Sequence, residues 1–152
     1  METLPPFPCA CATTRRLSRL LTQLYDSHLR ASGIEAPQYN LLSIVQHKPG
    51  ANQATLGAIM ASDKTTISRN LRLLEQKGWI TATPSADRRE RGFSLTAAGH
   101  QLLASAHPHW QAAQSAFEST LTAAEWKSMW TILRKVTTAA HQLTAASTAS
   151  QS

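Results

Sequence analysis

The chain is short of acid and of sulfur. Nine Asp and Glu stand among 152 residues, against 15 Lys and Arg, and the cysteines number two, Cys9 and Cys11. Two thiols one residue apart cannot staple a fold, so a disulfide scaffold is excluded and a reducing, cytoplasmic setting is expected. No apolar run approaches the ~20 residues of a membrane-spanning helix. The opening METLPPFPCACATT lacks the charged-then-apolar layout of a secretion signal, so neither export nor a membrane partner is expected. Also missing are G-x-S-x-G, a P-loop, a dinucleotide-binding glycine triplet, H-E-x-x-H and any carboxylate pair placed for acid–base work. Neither an enzyme, a cofactor nor a bound metal is expected.

What is present is a core and a positive charge. Apolar residues make up 42% of the chain and the mean hydropathy is −0.25, enough for one hydrophobic core of domain size. The formal charge is +6 and the pI about 9.9, a balance that suits an acidic polymer as partner. The charge is also concentrated. Residues 62–91 hold seven cations (Lys64, Arg69, Arg72, Lys77, Arg88, Arg89, Arg91) against four anions, a local net of +3.

Periodicity divides the chain. Residues 1–12 have no period and read as an arm. Across residues 13–30, Leu17, Leu20, Leu21, Leu24 and Leu29 recur at helical spacing, and Gly33 stops the run. Pro37 suits the first turn of a second helix, which Pro49 and Gly50 break. Asn52 is placed to cap a third helix carrying Leu56, Ile59 and Met60. Ser62 is expected to cap a fourth, with Asp63 in its first turn and Gly78 just past its end. The period then changes to that of strands. Residues 79–83 (WITAT), stopped by Pro84, and Phe93, Ser94 and Leu95 predict a hairpin whose tip carries DRRER. Thr96 is placed to cap a fifth helix, which Pro108 is expected to bend or interrupt. A capping box at residues 122–125 opens the last helix, with its stripe of Trp126, Met129, Trp130, Leu133, Val136 and Ala140. Two short helices, a tight turn and a hairpin predict a winged helix-turn-helix. The fold class is mainly α with a β-hairpin wing (α+β): residues 36–95 form the winged region, residues 13–35 and 96–145 a helical dimerisation region, and residues 146–152 a polar tail.

The fourth helix can be read face by face. At about 100° per residue, Ile67, Leu71 and Leu74 share one seam, while Thr65, Arg69, Arg72 and Gln76 lie opposite, with Thr66 and Ser68 on the flanks. Hydroxyls, guanidinium groups and an amide are the groups that bond base edges and phosphates. The tip arginines repel one another in the free chain, and a narrow minor groove would stabilise one inserted there. Asp87 is placed to hold Arg89 extended.

The hairpin then shows Asp87-Arg88-Arg89, five residues, Leu95-Thr96, two residues and Gly99. This resembles the wing signature D-x-R-x5-L-T-x-x-G of MarR-type transcriptional regulators, and SDKTTISRNLRLLEQKGW (residues 62–79) is similar to their recognition helix. The resemblance covers about residues 13–145. It implies an obligate homodimer, with interlocked first and last helices, straddling pseudo-palindromic double-stranded DNA. It implies repression, often relieved by a small phenolic or other aromatic acid. By position it puts Thr65, Thr66, Ser68, Arg69 and Arg72 in the major groove, with Lys64, Arg88 and Arg91 in the same surface. It puts Arg89 in the minor groove with Asp87 in support, and Asn52 and Gln53 on phosphate. The end-helix stripes independently call for a second copy, because a small winged region cannot cover both.

For an aromatic effector, His28, Arg30 and Tyr39 are the candidates, an arginine being suited to clamp a carboxylate. Cys9 and Cys11 are candidates for a redox response, with Arg15 and Arg16 nearby. A redox-responsive regulator of the same fold and a non-specific DNA-binding protein are the alternative readings.

Overall fold

The computed structural model describes residues 9–84 and 90–149. The arm residues 1–8, the wing residues Asp87, Arg88 and Arg89, and residues 150–152 lie outside the described residues. The chain forms two compact units, divided between Ala113 and Gln114.

The first unit contains α1 (Ala10–Leu29), a 3-10 turn (Arg30–Ser32), α2 (Ala36–His47), β1 (Ala51–Asn52), α3 (Gln53–Ile59), α4 (Lys64–Gln76), β2 (Ile80–Pro84), β3 (Arg91–Leu95) and α5 (Ala97–Glu118) as far as Ala113. Its core is aliphatic: Leu29, Leu41, Leu42, Val45, Leu56, Ile67, Leu71, Leu74 and Ile80 are fully buried, joined by Phe93 from the sheet and Leu103 and Ala106 from α5. Each large aliphatic side chain removed from water in this way contributes about 1.5–3 kcal/mol. The seam expected on α4 is therefore the seam that is buried.

β3 is the centre of a three-stranded antiparallel sheet, ordered β1-β3-β2. Ile80 pairs with Leu95 and Pro84 with Arg91 in the hairpin, while Ala51 pairs with Phe93 on the other side. β1 was not legible in the sequence. It has two residues, too few for a period, and exists because β3 offers a free edge to the chain leaving Gly50, whose N–H donates to the Phe93 carbonyl at 2.9 Å.

The structure changes three further expectations. α1 begins at Ala10, so Cys11 lies in its first turn; the Ala-rich opening forms helix readily although it has no apolar period. Asp63, not Ser62, is the N-cap of α4, accepting from the Thr66 N–H at 2.9 Å. Ser62 is occupied one residue earlier, its N–H closing the α3–α4 turn on the Gly57 carbonyl at 2.9 Å beside Ala61, which has φ +48°. α5 runs through Pro108 without interruption. Proline removes one backbone donor there, but His107 and Trp110, which flank it in the chain, stack on each other with centroids 5.6 Å apart, and Tyr39 of α2 stacks on Trp110 at 6.0 Å, so packing holds the helix across the gap.

The second unit, from Gln114, contains the end of α5 and α6 (Ala123–Ala149). The capping box forms as expected: Thr122 donates its N–H to the Glu125 carboxylate at 2.8 Å, and the Glu125 N–H is returned to the Thr122 hydroxyl. Phe117, Trp126 and Trp130 form an edge-on ladder with centroids 6.0 and 5.7 Å apart. Among the described residues no helix is long and apolar enough to cross a membrane.

Candidate nucleic-acid interface

α4 is set by its buried seam. With Ile67, Leu71 and Leu74 held in the core, Thr65, Arg69, Arg72 and Gln76 are exposed on the opposite side, and Thr66 and Ser68 are half-buried on its flanks. Thr66 spends its hydroxyl hydrogen on the Asp63 carboxylate at 2.7 Å. That bond and the Thr66 backbone N–H hold the Asp63 carboxyl below the usual carboxylate range. The anion also neutralises the positive end of the helix.

The other expected contacts carry internal duties. Asn52 caps α3, accepting from the Thr55 N–H at 2.8 Å, and its amide donates to the Glu90 carboxylate. Gln53 donates to the Lys64 backbone carbonyl at 3.2 Å, tying the start of α3 to the start of α4 and leaving the Lys64 ammonium exposed. Arg91 donates to Glu75, near the end of α4, at 2.7 Å. Glu75 and Glu90 were missed in the sequence because each finds its partner only after the hairpin has folded back. A cleft of roughly 610 Å³ opens here, with Asn52, Gln53, Lys64 and Arg91 on its rim and Ile67 and Phe93 in its floor.

The wing motif has a local physical meaning. The Thr96 hydroxyl accepts from the Gly99 N–H at 3.1 Å, capping α5, and donates to the Gly78 carbonyl at 2.6 Å. Gly99 packs so closely on the Trp79 carbonyl that a Cβ would overlap it. The L-T-x-x-G stretch thus docks α5 onto the turn that leads into β2, by cap and by close approach.

The residues suggested for an effector lie on three elements, α1, the 3-10 turn and α2. Tyr39 is buried, its hydroxyl 3.0 Å from His107 Nδ1 and its ring on Trp110. Burial raises the pKa of its phenol. His28 is half-buried on α1 and Arg30 is exposed in the 3-10 turn. His107 and Trp110 were missed as partners of Tyr39; the sequence signal was the pair of rings flanking Pro108. Cys9 and Cys11 are free and exposed at the start of α1, and among the described residues no group of three or more His, Cys, Asp or Glu is arranged to hold a metal.

A buried-seam helix presenting arginines and hydroxyls beside a small three-stranded antiparallel sheet is the arrangement of a winged-helix nucleic-acid-binding protein. The MarR family model matches residues 34–90. The transcriptional regulator HosA of Escherichia coli is 30% identical over 122 residues, covering 76% of this chain and 90% of that protein. A putative transcriptional regulatory protein for the hcr operon of Thauera aromatica is 26% identical over 126 residues, covering 82% and 72%. Among solved structures, the M. tuberculosis transcriptional regulator MosR in complex with DNA aligns with a TM-score of 0.77 at 31% identity, over 88% of this chain and 96% of that one. The chain belongs to the MarR family of transcriptional regulators.

Proposed function

We propose that two copies of this chain bind a pseudo-palindromic duplex, each setting the N-terminal half of α4 in the major groove and its wing in the adjacent minor groove, and that the complex represses transcription. One observation carries the reading: Thr65, Arg69, Arg72 and Gln76 stand exposed on the face of α4 opposite its buried seam, and none of them is acidic. In helix-turn-helix docking the first turns approach the bases. Asp87, Arg88 and Arg89 lie outside the described residues, and their part in the reading rests on the wing signature alone. Selection of bound sequences from a random duplex pool tests it. The wild-type chain should enrich an inverted repeat, and Arg69→Ala should cost about 1–3 kcal/mol with relaxed preference at one position of each half-site. Enrichment of no sequence, or an Arg69→Ala variant that binds like wild type, defeats the reading.

Release by a small aromatic acid is the second part of the proposal. Tyr39, stacked on Trp110 and bonded to His107, supplies a buried aromatic wall with a hydroxyl, and the exposed Arg30 supplies a cation suited to a carboxylate. Calorimetric titration with a panel of aromatic carboxylates should show binding that weakens in at least one of His28→Ala, Arg30→Ala and Tyr39→Phe. Unchanged binding in all three removes these residues from the site.

A further inference from the structure

Three successive residues, Glu90, Arg91 and Gly92, form the foot of the returning wing strand, and each is fastened to a different part of the first unit. The Glu90 carboxylate accepts from Asn52, the N-cap of α3. The Arg91 guanidinium donates to Glu75 in the last turn of α4 at 2.7 Å and lies over the Phe93 ring, 5.8 Å from its centroid. Gly92 packs so tightly on the backbone of Gly50 that no Cβ fits between them. The two acids stand out for their setting. Glu75 and Glu90 are two of only four anions in the most basic stretch of the chain, where an acid opposes any approach of phosphate. Both are bonded to, or form part of, the foot of the wing.

The geometry points to Glu75 as a positioning residue: through Arg91 it fixes the attitude of the wing to α4, so that both meet the duplex as one surface, while touching no DNA itself. The inference rests on the DNA-binding reading above. It also reassigns Arg91, counted from the sequence among the DNA contacts, to a structural bond in the free protein. Asn52, through Glu90, acts in the same way from the opposite side. The ion pair does not matter chiefly for stability. Its side chains are 65% and 35% exposed, and pairs of that kind contribute little to folding. Its effect is on which wing orientations are available before binding, and orientation freedom lost on binding lowers affinity.

The sign of one substitution separates this role from simple electrostatics. Removing an anion beside a phosphate polymer strengthens binding if charge alone acts; removing a strut weakens it. The experiment is a fluorescence-anisotropy titration with the duplex recovered from the selection, at several salt concentrations. It compares wild type, Glu75→Gln, Arg91→Gln, the charge-swapped Glu75→Arg/Arg91→Glu chain and Arg69→Ala. Glu75→Gln should weaken binding about three- to fivefold, the range of an exposed pair, with the slope of log K against log salt unchanged. The swapped chain, which remakes the pair, should recover to within about twofold of wild type. Glu75→Gln that binds as well as or better than wild type overturns the inference. So does Arg91→Gln that lowers the salt slope by about 1, the mark of a lost phosphate contact, and so does a swapped chain showing the summed losses of its two changes. A wild-type chain that binds no duplex defeats the parent reading as well. Binding that Arg69→Ala impairs and Glu75→Gln leaves intact defeats this inference alone.

Discussion

Asp63 sits where α4 begins, and its carboxylate takes two bonds from Thr66, one from the backbone and one from the hydroxyl. These bonds lower its pKa, so the carboxylate form is favoured by folding. The stabilisation is fully present above the ordinary carboxylate value and is lost as pH falls through the depressed one. The protection of the Thr66 amide against exchange, taken relative to an unstructured peptide at the same pH, should therefore fall in acid below the usual Asp range, while protection in the middle of α4 changes less. Asn caps as well as Asp and does not titrate, so Asp63→Asn should remove that acid response while keeping the first turn protected near neutrality. An identical acid profile in the variant would show that the cap is not responsible. At this scale the sequence was readable to within a residue. Ser62 and Asp63 are both good caps; the turn before them, through Ala61 at φ +48° with the Ser62 N–H on the Gly57 carbonyl, starts the helix one residue later than expected, and it is the Asp63 carboxylate that meets the Thr66 N–H.

Elements were legible where a period ran long enough to count and illegible where neighbours imposed them. The α4 seam, the hairpin and the capping box of α6 all carried their own signals. β1 did not, because its two residues are recruited by the edge of β3. Pro108 misled in the opposite direction: the cost of a missing N–H was visible in the sequence, and the Tyr39–His107–Trp110 stack that holds the helix through it was not. The interface divides in the same way. The exposed face of α4 follows from about 100° per residue alone, whereas the Glu75–Arg91 and Asn52–Glu90 ties needed the hairpin folded back on the helices. Gly99 is the element-scale test, since it sets how closely α5 docks at the start of β2. Gly99→Ala forces a methyl against the backbone carbonyl of Trp79, which no side-chain rotation relieves. It should destabilise the chain by about 1–3 kcal/mol in chemical denaturation, as overpacking does. In a helix free of that contact the same change would stabilise by up to about 1 kcal/mol. A Gly99→Ala chain as stable as wild type would mean that α5 does not dock through this contact.

For the whole molecule the unbalanced quantity is apolar surface. None of the described side chains of α6 is fully buried, and Trp130, Ile132, Leu133, Val136 and Leu143 are exposed on it, Leu143 to 71%. On α1, Leu17 and Leu20 are likewise exposed, to 43% and 47%. Apolar surface left in water at this density marks an interaction site, and a second identical chain would bring the same stripes to a two-fold axis. A two-fold pair would also present two α4 helices, which is what half-sites one helical turn apart demand. In sedimentation equilibrium the chain should weigh twice its 16.6 kDa at micromolar concentration. Truncating two interface side chains on each copy, Trp130→Ala with Leu133→Ala, should cost about 2–5 kcal/mol per buried side chain. With four side chains truncated in the pair, at no less than about 2 kcal/mol each, the association constant should fall by at least about 10⁵-fold, at tenfold per 1.4 kcal/mol. DNA affinity should fall with it, because a lone winged unit reaches one half-site only. A wild-type chain that sediments at 16.6 kDa at every concentration tried would leave the α6 stripe without a partner of its own kind and remove the two-fold arrangement from the account.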